Sequence, residues 1–457
     1  MKKIFFALLL AGSLTGCQEY LNVQPKEFFI PKTMQDYEEL SSNPSYKSNS
    51  NAYLERLSDG IFVADANVKS AINSASSKTY TWAPEYYLNT EQDGAWNGNY
   101  NNIYNANIIL QELDAITDGT ADRKNIVKGN ALCNRAYAYL DLVLLYAPYY
   151  NEATASTDLA VPMVIEPNLE VKSERATVKA IYDLILSDLT EALPLLPETG
   201  KNVYRNSKAT ANGILARLYL NMGNYEKAAF NASEALKYNK TLFDFNTVSF
   251  QNPARPALGW ATRELPYQHT EMISYFASSF GSILTNTYIS PDLLQVVDPK
   301  DLRLKFGWSP SDRQGVPVKE PYPIYINTDL NYNIAVPEMM LIVAEADARA
   351  NRISQALTQL NTLRKKRFDP ADYKDLTAAN KDEALKLVIN ERRIELFGKG
   401  LRWFDMKRLD KDPMFAKTYT RANTYQEFKL EKGSANFVSQ IPAKVRLLNP
   451  NILPNPR

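Results

Sequence analysis

The chain has 457 residues, 45% of them apolar, with 52 Lys and Arg against 51 Asp and Glu. A formal charge of +1 excludes binding to nucleic acid or anionic lipid through a broad basic field. One histidine, His269, and two cysteines, Cys17 and Cys133, exclude a Cys/His zinc cage, a multi-histidine metal centre and a disulfide framework, and any Ser-His-Asp or Cys-His chemistry has to pass through His269.

The first residues read as an address. Lys2-Lys3 precede Ile4–Ala11, an apolar run too short to cross a bilayer, and small residues follow. Leu14-Thr15-Gly16-Cys17 resembles a bacterial lipobox, in which the chain is cut before a cysteine that then carries lipid. The expected organisation is a signal peptide over 1–16, a lipidated tether over 17–30 and one composite domain over 31–457. With Lys2 and Lys3 removed, the balance becomes 50 basic to 51 acidic residues. No later stretch is apolar enough to span a membrane, so the protein is expected to be anchored rather than inserted.

Helical periodicity then dominates. It predicts helices over Tyr100–Leu110, Ile126–Tyr146, Val178–Leu193, Ala209–Asn221 and Tyr225–Tyr238. In the second half it predicts Pro337–Ala350, Ile353–Lys366, Lys381–Phe397 and Leu401–Arg408. Residues 43–101, 147–176 and 241–334 are rich in Pro, Gly, Asn, Ser and aromatics, and read as long loops with small hairpins. Cys133 falls among Ala, Leu and Tyr and is expected to be buried and inert.

Repeats underlie the helical part. Leu215, Ala216, Tyr219, Tyr225, Ala228 and Ala235 have the spacing of a tetratricopeptide repeat, where small residues let antiparallel helices approach. Ala344, Ala356 and Leu363 repeat Ala216, Ala228 and Ala235 at a constant offset of 128 residues, with Val343, Ile353 and Leu360 beside them. A third pair joins Ala136 and Tyr139 to Leu189, Ala192 and Pro197. The fold class expected is mostly α: tetratricopeptide-like repeats in a right-handed superhelical scaffold with loop-rich insertions. Repeat helices occupy about 100–240 and 337–366, a ligand-bearing loop region about 241–334, and a helical closing segment 367–457.

No nucleotide-binding, nucleophile-elbow or zinc-protease motif is present. Glu391 and Glu395 share a helix face, and pairing with Arg392, Arg393 or Arg402 is expected to make them structural. Gly398 and Gly400 mark a helix end and a tight turn. His269, in a polar loop, is expected to be solvated. No catalytic residue, metal or cofactor is expected.

Aromatic clusters occupy the loops: Trp82, Tyr86, Tyr87, Trp96 and Tyr100; Trp260, Tyr267, Tyr275 and Phe276; Trp308, Tyr322, Tyr325 and Tyr332. Asn89, Gln92, Asn97 and Asn99 are interleaved with the first. Flat rings beside amides suit a sugar, whose C–H faces stack while its hydroxyls seek donors and acceptors. Most such rings are expected to wedge loops onto the scaffold, leaving a few for ligand.

Further segments carry a resemblance. They are Arg135-Ala136-Tyr137-Ala138-Tyr139-Leu140-Asp141, Glu391-Arg392-Arg393-Ile394-Glu395-Leu396-Phe397, Arg402-Trp403-Phe404-Asp405-Met406-Lys407-Arg408 and the tail Ile441-Pro442…Asn449-Pro450…Pro454-Asn455-Pro456. With the lipobox, they make the chain similar to the SusD/RagB family of outer-membrane nutrient-binding lipoproteins of Bacteroidetes. Lys399 departs from the acid common between the two glycines. The resemblance implies a lipoprotein facing the cell exterior that caps a SusC-like TonB-dependent transporter and hands it glycans. It implies ligand contacts at Trp96 and Asn99, and more loosely at Trp260 and Trp308. A peptide-binding member, a surface glycosidase and a scaffold for transporter assembly are the alternatives.

Overall fold

A computed structural model describes residues 31–43, 53–63, 73–168, 173–261, 264, 268–276, 287–323, 333–422 and 426–457. The signal peptide, Cys17 and the tether lie outside the described residues, as do Tyr267, Tyr325 and Tyr332.

Side-chain caps decide where the main helices begin. Thr33 opens α1 (Met34–Ser42) with a reciprocal capping box. Asp93 opens α2 (Gly94–Glu112), and Thr120 opens α3 (Ala121–Tyr146). These two start six and five residues earlier than hydrophobic spacing predicts, because a cap can open a helix on polar residues that carry no apolar stripe. Thr177, Ser207 and Asn224 open α4 (Val178–Leu195), α5 (Lys208–Asn221) and α6 (Tyr225–Leu236). In the second half come α7 (Val336–Arg349), with Pro337 in its first turn, α8 (Ile353–Arg364), α9 (Lys381–Glu395), α10 (Arg402–Leu409) and α11 (Ala443–Leu448).

The repeats are present as antiparallel pairs: α3 packs on α4, α5 on α6 and α7 on α8. α6 also packs on α7, so successive pairs share one core. Ala216, Ala228, Ala235, Ala344, Ala356, Leu360 and Leu363 are fully buried, as the spacing requires. Cys133 is buried. Buried ion pairs bolt the helices together. Arg135 grips Asp188 across α3 and α4 at 2.7 Å, and Arg217 grips Glu338 across α5 and α7 at 2.7 Å.

The loop regions contribute only small antiparallel pairs. Ile61–Val63 meets Thr287–Ile289, Leu159–Pro162 meets Arg175–Thr177, and Met272–Ser274 meets Ile334–Ala335. Trp308–Ser311 meets Pro317–Pro323, and Tyr419–Ala422 meets Glu427–Leu430. Gly398 and Gly400 both take positive φ, 74° and 70°, at the turn between α9 and α10.

Candidate functional site

α3 is 26 residues long, and its last turn leaves backbone carbonyls without partners inside the helix. Three distant segments satisfy them. Lys407 Nζ on α10 donates to Leu144 O at 2.7 Å and to Ala147 O at 2.5 Å. Ser439 N donates to Leu145 O at 2.9 Å, and Asn455 Nδ2 donates to Tyr146 O at 2.9 Å. Asn455 also donates to Ser439 O, and its Oδ1 accepts from Arg175. The C-terminal tail is thereby clasped onto the end of the central helix.

Over this clasp opens a cavity of about 650 Å³. Tyr149, Tyr150, Asn151 and Asp158 line it from the segment after α3; Lys407, Asp410 and Lys411 line it from α10 and its end; Phe437 and Asn455 line it from the tail. The Tyr150 ring leans on Tyr182 with centroids 4.8 Å apart, which fixes its direction. Both Asp410 oxygens accept from Gly433 N at 3.0 Å. Burial, reinforced by the Lys411 charge, pulls Lys407 down from 10.5 to about 7. The wall thus joins two tyrosine rings to hydroxyl, amide, carboxylate and ammonium groups.

The residues expected to hold ligand lie elsewhere and are mostly packed. Trp96 is 6% exposed, tilted against Tyr100 at 4.9 Å and edge-on to Tyr146 at 5.1 Å. Asn99 is fully buried and donates to Ala95 O at 2.9 Å and to Asp141 Oδ2 at 2.6 Å. Trp308 is 6% exposed and packs on Phe397 at 5.2 Å. These three present no open shelf: Trp96 and Asn99 join α2 to α3, and Trp308 packs its short strand against the turn after α9. Trp260 is only partly buried: its Nε1 donates to Phe306 O at 2.8 Å, and its ring stands edge-on to Phe245 at 5.9 Å.

Two other expectations change. His269 is partly buried, its ring 5.1 Å from Phe243, and burial pulls it down to about 4. Glu391 and Glu395 are structural, but their partners differ from those expected. Arg303 reaches both, Arg364 pairs with Glu391, and Arg367 pairs with Glu395. Arg392 points to Asp405, while Arg393 and Arg402 hold Asp59. Residues one apart on a helix face different directions, so Arg392 cannot serve its neighbour Glu391.

The cavity residues themselves escape sequence reading. Their available signal is the run Pro148-Tyr149-Tyr150-Asn151 at the end of a long helix, and Lys407 within a segment otherwise committed to packing.

The chain and its fold are similar to known proteins. A family described as "Starch-binding associating with outer membrane" matches residues 19–220, and one described as "SusD family" matches 334–456. SusD-like protein P38 of Formosa agariphila is 22% identical over 89% of this chain and 91% of its own. Among solved structures, a SusD superfamily protein from Bacteroides thetaiotaomicron superposes with a TM-score of 0.73 at 21% identity, covering 93% of this chain and all of that one. A SusD-like carbohydrate binding protein from Bacteroides vulgatus gives 0.67 at 19% identity, covering 92% and 98%.

Proposed function

Because the chain belongs to the SusD/RagB family, we propose that it is a lipid-anchored glycan-binding protein of the outer membrane, facing the cell exterior. It captures oligosaccharides without cleaving them and delivers them to a SusC-like TonB-dependent transporter. Anchoring runs through Cys17. Among the described residues no helix is long and apolar enough to cross a membrane.

The observation that carries the glycan reading is the cavity over the α3 clasp, where the Tyr149 and Tyr150 rings stand beside Asn151, Thr154 and Asp158. Rings take the apolar sugar faces and the polar groups take hydroxyls. Calorimetric titration with a panel of oligosaccharides tests it, with peptides as the counter-set. Saccharides bind, and Tyr150→Ala weakens them about five- to tenfold, the worth of one stacked ring. Binding of peptides alone would move the protein to a peptide-capturing role, and release of new reducing ends would make it a glycosidase.

A further inference from the structure

Four charged side chains of α10 are buried: Arg402, Asp405, Lys407 and Arg408. Three have opposite charges beside them. Arg402 holds Asp59 at 2.7 Å, Asp405 holds Arg392 and Arg408 at 2.8 Å each, and Arg408 holds Glu345 at 2.7 Å. Lys407 is the exception. It is 5% exposed, and among the described residues no carboxylate lies within ion-pair distance of its Nζ. Its two hydrogen bonds go to neutral carbonyls, Leu144 O and Ala147 O. An ammonium has three N–H groups, so one remains, on a side chain that lines the cavity. A buried cation without an anion is costly, and an anion arriving through the cavity would relieve that cost.

The cavity's own carboxylates do not fill this role. Asp410 spends both oxygens on Gly433 N and lies 3.6 Å from Lys411. Asp158 accepts from the Thr154 hydroxyl at 2.6 Å, and Glu152 is exposed. We infer that Lys407 is the specificity-determining residue of the cavity, and that the saccharide taken there carries a carboxylate, a uronate, which pairs with the Lys407 ammonium. This rests on the glycan-binding reading above.

The pairing has a pH signature. The titratable groups lining the cavity with Lys407 are Asp410 and Lys411 from its own helix and helix end, and Tyr149, Tyr150, Glu152 and Asp158 from the segment after α3; the tail contributes none. With Lys407 lowered to about 7, its ammonium is only part-populated at neutrality, and a bound carboxylate draws a proton onto it. Uronate affinity therefore falls as pH rises through 7.

Titration of the chain without residues 1–17 tests this. Trimers of galacturonate, glucuronate and mannuronate are compared with neutral galactose, glucose and mannose trimers at pH 6 and pH 8. One acidic trimer binds about tenfold or more tighter than its neutral counterpart at pH 6, as a charge-assisted bond to a buried ammonium implies. That advantage shrinks about tenfold by pH 8, with proton uptake seen in buffers of different ionisation heat. Lys407→Met abolishes the preference. The wild-type comparison stands even where Lys407→Met fails to fold. Neutral trimers binding as tightly as acidic ones, or an acidic preference unchanged between pH 6 and 8, overturns the assignment and leaves glycan capture intact. Absence of binding by every saccharide overturns both.

Discussion

The Trp96 indole fills the seam between α2 and α3, where Tyr100 and Tyr146 close on it and little of the ring meets solvent. Trp96→Ala leaves a cavity there and is expected to cost about 3–5 kcal/mol in urea unfolding, with saccharide affinity of the folded fraction unchanged. A fall in affinity at unchanged stability would instead return Trp96 to the ligand. Next to it, Asp93 caps α2 through Oδ1 and accepts the Tyr146 hydroxyl through Oδ2 at 2.6 Å. Burial raises this carboxyl from 3.8 to about 6, against the pull of those hydrogen bonds. Between about pH 4 and 6 the folded state therefore holds more protons at Asp93 than the unfolded state, and this group's contribution to stability falls as pH rises. Asp93→Asn removes that loss. Stability of the variant relative to wild type should rise by about 1–3 kcal/mol from pH 4 to pH 7, read as a slope so that the pH-independent cost of the missing oxygen drops out. A parallel pH profile for the two proteins would contradict burial of a titrating Asp93.

At the scale of elements, Gly213 shows how tightly the repeat scaffold meets its insertions. A Cβ placed there on α5 would lie 2.3 Å from Ile334 Cγ2, on the short strand that leads into α7. Alanine favours helix by about 1 kcal/mol over glycine at an open site. Here Gly213→Ala should destabilise by about 1–3 kcal/mol, and the double variant with Ile334→Ala, which removes Cγ2, should cost less than the two single variants summed in a thermal melt. Stabilisation by Gly213→Ala would show that α5 and the strand are free to part. Helix pairing was legible because buried alanines recur at one offset and hydrophobic spacing reports which face is covered. Helix starts were less so, since Asp93 acts through two backbone hydrogen bonds and Thr120 through one, and neither leaves a periodic trace. Ion partners were not legible: Arg303 and Arg367 lie far along the chain from α9, and only packing brings them to Glu391 and Glu395.

Across the whole molecule, the end of α3 gathers segments near positions 144, 407, 439 and 455 into one clasp, and the cavity stands on it. Asn455→Ala strips partners from Tyr146 O, Ser439 O and the Arg175 guanidinium together. The expected cost is about 2–3 kcal/mol, with faster proteolytic cleavage in the tail after residue 439. Unchanged tail cleavage would mean that the remaining contacts hold the closing segment alone. Composition, periodicity and local motifs are properties of neighbouring residues, so they carried the helical repeat class, the exclusion of a Cys/His zinc cage or multi-histidine centre, and the family. Tertiary structure alone decided which aromatics are buried and where the cavity opens. A tryptophan in a polar loop reads the same whether it faces solvent or a helix, and a lysine left without a carboxylate is visible only once distant segments have met around it.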